Sequence, residues 1–295
     1  MATTVDTEST PTADREAHTA ESFGDAVRRV VRLPDAVILL FPAAVFLGVG
    51  IFPPGVRQQL AFSYGDPDVL TAFTSHFAHA DAAHLLRNLA GYLIIVPTVY
   101  LLSVLAGRRQ LFYTVFVVIL AAFPFVLSGL NLVVPREALS LGASGLTLGF
   151  VGYLPVAVAA YVRRWFGVDD VVRREIAGGL FFLGLIVIIP LVVAAFRPVL
   201  AIVLTAISVL AVVGYGLTLR NSGIDRETLR KSPPGFAEFG VWSGFVLTAA
   251  LITGFAADPL SDAGLVNTYT HFLGYALGFL SSYLVVLLFS GDSEL

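Results

Sequence analysis

Eight stretches of mostly apolar residues run through this chain, at about 36–54, 84–106, 110–133, 144–161, 178–196, 198–219, 239–256 and 268–290. Each is close to the roughly 20 residues that carry a helix across a bilayer. The hydrocarbon core holds no water, so a crossing segment must satisfy its own backbone hydrogen bonds, which a helix does. Arg197-Pro198 divides the fifth stretch from the sixth. Proline breaks a helix interior and arginine is costly at mid-membrane, so a tight hairpin is expected there. Composition agrees. Of 295 residues, 57% are hydrophobic and 13% charged, against about 45–50% and about 25% in soluble domains. Mean hydropathy is +0.83. A soluble globule of this size lacks the interior to hide so much apolar surface. Soluble enzymes, disordered chains and nucleic-acid binders are thereby excluded, and a net charge of −3 offers phosphates no overall basic surface. The absence of cysteine removes disulfides, thiol nucleophiles and cysteine metal sites.

The arginines test the count of eight. Arg28, Arg29 and Arg32 precede the first stretch, and Arg108 and Arg109 follow the second. Arg163, Arg164, Arg173 and Arg174 follow the fourth; Arg220, Arg226, Arg230 and Lys231 follow the sixth. The other connections carry only Arg57, Arg136 and Arg197. Basic residues stay on the cytoplasmic side. The expected fold is therefore all-α, a polytopic membrane bundle of about eight helices with both termini cytoplasmic. Residues 1–27 are polar, hold six acidic residues and lack the apolar centre of a signal peptide. They are expected to form a solvated, disordered tail, the alternative being a short amphipathic helix within 14–32. Residues 28–295 then form one transmembrane domain.

Polar residues inside a membrane are costly, so they are the informative ones. His76, His79, His84 and Asn88 cluster at the entrance to the second stretch, and the four-residue spacing of His84 and Asn88 puts them on one helix face. The plainer readings are interfacial polar residues or a weak metal signal. Gly142, Ser144 and Gly145 open the fourth stretch, and Gly145, Gly149 and Gly152 continue a smooth stripe on one face. Such a face lets another helix approach closely. Free backbone N–H groups at a helix start can hold an oxyanion; alternatively, Ser144 caps the helix and the glycines only pack. His271, Gly274 and Gly278 open the last stretch, a second smooth face, where a lone interfacial histidine is the plainer reading. These three stretches all run from outside to inside. His84, Asn88, Ser144 and His271 are expected in first turns, in one shallow layer near the external face. There an imidazole can take the proton of a serine hydroxyl as it attacks.

At these residues the sequence resembles the rhomboid family of intramembrane serine proteases. The family's Thr-Ser-x-Phe-x-His-x4-His-x3-Asn run matches Thr74, Ser75, Phe77, His79, His84 and Asn88. Its G-x-S-G matches Gly142, Ser144 and Gly145, and its last-helix histidine with following glycines matches His271, Gly274 and Gly278. All occur in family order, over about residues 34–290. The resemblance implies a serine endopeptidase with Ser144 as nucleophile and His271 as general base. Asn88, His84 and the Ser144 amide would hold the oxyanion, with Gly142, Gly145, Gly149, Gly274 and Gly278 packing the site. It implies transmembrane protein substrates cut near the external face, a cell-membrane location, and no cofactor or metal. No carboxylate is expected to orient the base, and Asp81 and Asp262 carry no assigned role. Three positions depart from the family. Leu70 and Thr71 stand where it usually has Trp-Arg, and Leu148 where many members have a tyrosine stacking on the histidine. The usual core has six helices, so 178–219 is the expected extra hairpin, and the seventh stretch then matches the family's mobile fifth helix. The rival readings are an inactive rhomboid-like protein that binds membrane clients, and a transporter. Transporters place their sites near the midplane and often show internal repeats; here the polar layer is shallow and no clear repeat is visible.

Overall fold

The computed structural model describes residues 22–134, 137–194, 196–221, 232–255 and 262–289. Within them the chain forms an all-α polytopic membrane bundle. The elements are α1 (Phe23–Val30), α2 (Leu33–Gly50), α3 (Pro54–Gln59), β1 (Phe62–Ser63), α4 (Val69–Thr74), a 3-10 turn (Ser75–Phe77) and α5 (Ala82–Leu105). There follow α6 (Arg109–Ala121), α7 (Phe123–Asn131), β2 (Leu139–Ser140), α8 (Ser144–Phe166), α9 (Asp170–Ala194), α10 (Pro198–Asn221), α11 (Phe236–Phe255) and α12 (Asp262–Phe289). Seven of these helices are long and apolar enough to span a bilayer. The eighth expected span, 110–133, is not one straight helix. It is the pair α6 and α7, bent by 46°, where Pro124 in the first turn of α7 offers no N–H to the preceding turn.

Helix α8 is the axis of the bundle, with 89% of its apolar window buried. Its glycines decide what lies beside it. A Cβ on Gly274 would sit 2.2 Å from the Gly145 carbonyl oxygen, and one on Gly278 would sit 2.0 Å from that of Gly149. From the other side, a Cβ on Gly152 would meet the Tyr275 carbonyl oxygen at 2.0 Å. Helices α8 and α12 thus touch backbone to backbone, the contact small residues permit in a membrane. Buried tyrosines find partners across helices: Tyr92 donates to Leu39 O at 2.8 Å, Tyr161 to Phe236 O at 2.8 Å and Tyr275 to Phe181 O at 3.1 Å.

The expected hairpin is present as α9 and α10, but its two helices are unequal. Phe181 of α9 stacks on Phe279 of α12 at 4.0 Å, and a Cβ on Gly184 would collide with the Tyr275 hydroxyl. Helix α9 therefore belongs to the core. Helix α10 is peripheral, with 11% of its window buried, and is tied to α9 by Ser208 Oγ donating to Ile186 O at 2.8 Å. The chain start also differs from expectation. The last five residues of the expected tail, 23–27, belong to helix α1, capped by Ser22. Phe23 sits edge-on to Phe236 at 5.2 Å and Ala26 is fully buried. Residues 1–21 lie outside the described residues, as do Arg136, Arg226, Arg230 and Lys231.

Candidate functional site

The site is built around the short segment leading into α8. Gly142 has φ +121°, a conformation that side chains rarely adopt. It also has no room for one, because a Cβ there would lie 2.7 Å from His84 Nε2 and 3.9 Å from Asn88 Nδ2. The first glycine of G-x-S-G is thus required twice, by backbone angle and by the His84 ring against it. Its N–H donates to Ser75 O at 2.9 Å, which joins the segment to the turn before α5. Ser144 is the first residue of α8, and the residue before it, Ala143, makes no side-chain cap. The helix is therefore not capped by the Ser144 hydroxyl, and the first-turn N–H groups of α8 begin at this residue.

Ser144 and His271 each adjoin a close contact between their helices. Gly145 follows Ser144, Thr270 precedes His271, and a Cβ on Gly145 would lie 2.8 Å from Thr270 Cγ2. His271 is only 8% exposed. Its Nδ1 lies 2.6 Å from the carbonyl oxygen of Gly254 in α11. A carbonyl only accepts, so Nδ1 carries the hydrogen and Nε2 keeps its lone pair. Nε2 is buried and has no hydrogen-bond partner among the described residues. A backbone carbonyl thus orients this imidazole where soluble triads use a carboxylate. The expected first-turn position of His271 needs correcting. Helix α12 begins at Asp262, so His271 lies in its third turn, although only four residues into the apolar window Thr268–Leu287.

Asn88 is 7% exposed and donates one hydrogen of Nδ2 to His84 O at 3.0 Å. An amide nitrogen carries two hydrogens, and this one faces the Gly142 segment. Asp81, which had no assigned role, caps α5 by accepting from His84 N at 2.7 Å. That bond holds its carboxyl below the usual range. Leu148, in place of the tyrosine, does not stack on His271. It packs on Gly254, 3.5 Å from where a Cβ would be, behind the carbonyl that holds the imidazole. The ring against His271 is that of Phe255, edge-on at 6.1 Å.

The loop between α2 and α5, expected to be external, is anchored without Trp-Arg. Phe62 and Ser63 pair antiparallel with Ser140 and Leu139, directly before Gly142. Arg57 donates to His79 O at 2.7 Å, Thr74 to Leu60 O at 3.2 Å, and Asp68 caps α4 through Thr71 N at 2.9 Å. His76 Nε2 meets Ser128 Oγ at 3.2 Å, and Ser128 donates to Ala72 O at 2.9 Å. Burial pushes His76 down to about 4. Burial, with the His84 and Arg57 charges, does the same to His79. Neutral at ordinary pH, they serve as packed polar groups under the loop. Asn131 and Thr270, bonded at 3.2 Å, tie α7 to α12 beside the site. Their sequence carries no pattern that singles them out.

A polytopic all-α helix bundle is the class that the fold defines, with half-buried Ser144 and buried His271 on the adjacent helices α8 and α12. No protein-family model matches the chain, and no significant match is found among curated proteins or solved structures.

Proposed function

We propose that this protein is a rhomboid-type intramembrane serine endopeptidase of the cell membrane that cuts transmembrane segments near the external face. The observation that carries this reading is His271: its Nδ1 is committed to Gly254 O and its buried Nε2 has no partner among the described residues, beside the glycine-locked start of α8. In the proposed reaction His271 Nε2 takes the proton of Ser144 Oγ as that oxygen attacks the scissile carbonyl carbon. The carbonyl oxygen becomes an oxyanion, held by the Ser144 N–H, the second hydrogen of Asn88 Nδ2 and His84. In a soluble protease one such donor is worth about 2.7–4 kcal/mol. Collapse expels the amine, which receives the proton from Nε2 and leaves an ester on Ser144. Water, deprotonated by the same nitrogen, then attacks the ester and releases the acid. The histidine finishes as it began, and no cofactor enters the balance.

The test is cleavage of a model transmembrane substrate by purified protein in liposomes, wild type against Ser144→Ala and His271→Ala. Cleavage beside the membrane segment by wild type, and none by either folded variant, supports the dyad. Cleavage that persists in Ser144→Ala removes the proposed nucleophile. Uncut but bound substrate for the wild type favours the inactive client-binding reading instead.

A further inference from the structure

Asn88 Oδ1 on α5 and Thr147 Oγ1 on α8 are buried and have no hydrogen-bond partner among the described residues. Both residues are closed to solvent, at 7% and 5% exposed. A threonine inside a helix has a ready acceptor in the carbonyl four residues back. Thr98, Thr205, Thr248 and Thr253 each use it, at 2.8 to 3.0 Å. Thr147 does not, although its own backbone N–H bonds Ala143 O at 2.9 Å and places that carbonyl within the same turn. Its methyl group is turned to α5 instead, where a Cβ on Gly91 would lie 3.7 Å from Thr147 Cγ2. A buried hydroxyl or amide oxygen left unpaired is costly, so both atoms call for a partner.

The register of the two helices sets the distance. Asn88 Nδ2 faces the Gly142 segment at the head of α8, and Gly91, one turn further along α5, faces Thr147, one turn further along α8. Asn88 and Thr147 therefore look into one seam about a turn apart. A helical turn is about 5.4 Å, close to the span of two hydrogen bonds of about 2.8 Å through a single oxygen. Gly91 brings no side chain, and a Cβ built there meets no other heavy atom within 4 Å outside its own helix, so the seam has room. Buried waters join polar groups of this kind. We propose that one water sits in the α5–α8 seam, accepting from Thr147 Oγ1 and donating to Asn88 Oδ1, and that Thr147 is thereby a positioning residue for the Asn88 amide. What the amide then does rests on the protease reading. One hydrogen of Nδ2 is tied to His84 O, the water ties Oδ1, and the second hydrogen of Nδ2 is held toward the oxyanion. Donors fixed in advance need not turn as the charge develops.

Thr147→Val keeps the shape of the side chain and removes the hydroxyl, whereas Thr147→Ser keeps the hydroxyl. On the liposome substrate, Thr147→Val should lower kcat about tenfold with KM unchanged, the scale of one hydrogen bond. Thr147→Ser should restore most of that loss. In an Asn88→Ala background, Thr147→Val should cost nothing further, because both changes act through one donor. If Asn88→Ala does not fold, Asn88→Ser replaces it. Equal losses in both backgrounds overturn the positioning role. A hydroxyl that is simply unpaired makes the opposite prediction: its replacement by a methyl raises Tm and leaves kcat alone, and that result overturns the proposal. The water itself is read from crystal structures of the full chain at a resolution that shows ordered solvent. Density between Thr147 Oγ1 and Asn88 Oδ1 is expected in the wild type and not in Thr147→Val. A wild-type seam without it overturns the site, whether or not the protein cleaves. A wild type that holds the water but cuts no substrate keeps the site and overturns the catalytic purpose of the Asn88 amide.

Discussion

Replacing Gly142 with alanine adds one methyl group to a residue at φ +121°, with His84 Nε2 only 2.7 Å from the new atom. Either the loop or the His84 ring must move. Displacements of about 1 Å at a reacting centre cost about 100-fold in rate. Gly142→Ala is therefore expected to lose about that much cleavage activity, measured on the same liposome substrate, with a smaller drop in Tm. Unchanged activity would mean that the His84–Gly142 contact does not position the site. The buried histidines give a pH signature. His76 and His79 sit at about 4 in the folded chain against 6.5 for the free side chain. Between those values the unfolded state binds more protons, so stability is complete above about 6.5 and is lost as pH falls toward 4. Tm followed by calorimetry should decline over that window, and His76→Gln should decline less steeply. A decline on the alkaline side instead would contradict the burial argument. At this scale the sequence exposed His84, Asn88, Ser144 and His271, because polar side chains are conspicuous in apolar segments. It could not expose Gly254, whose contribution is a carbonyl that every residue has.

Among the elements, α8 and α12 depend on each other through glycine. A Cβ on Gly278 would lie 2.0 Å from the Gly149 oxygen, a backbone atom that no rotamer change can move. Gly278→Ala must push the helices apart, and overpacking of this kind costs about 1–3 kcal/mol or more. The expected outcome is a lowered Tm together with lost cleavage. Gly244→Ala, in open space on α11, should change neither. The glycine stripes were legible as smooth faces because their spacing follows the helical period. Other features of the elements were not. The 46° bend between α6 and α7 sits inside one continuous apolar window, and hydropathy is blind to direction. The unequal standing of α9 and α10 was hidden for the same reason: both are apolar throughout, and only aromatic stacking on Phe279 and the close fit at Gly184 bring α9 inside.

For the whole molecule, two ends with different chemistry emerge. One holds the serine–histidine layer and its anchored loop. The other holds most of the arginines and a carboxylate hub, in which buried Asp35 accepts from Tyr100, Tyr113, Arg109 and the Arg32 backbone, joining α2, α5 and α6. Asp35→Asn leaves Arg109 facing a neutral partner. Breaking such a pair costs on the order of 3 kcal/mol, so Tm should fall while cleavage per folded molecule stays the same. A loss of specific activity would mean that the two ends are coupled. Sidedness is testable because the chain has no native cysteine. Asp66→Cys should react with an impermeant maleimide in intact cells, and Gly24→Cys only after lysis; the reverse pattern would invert the topology.

The apolar stretches, the sidedness expected of them and the faces along which helices can meet were legible in the sequence alone. Each depends on the transfer free energy or spacing of residues within one segment, and those properties do not wait for a partner. Only the tertiary structure decided that Gly254 O holds His271, that a two-residue ribbon and Arg57 anchor the first loop, and that Arg108 meets three arginines of another connection around one cavity. These contacts join groups far apart in the chain, several of them backbone atoms identical at every position. Their partners are chosen by how close the helices come, which at α8 and α12 is set by glycines that carry no side chain at all.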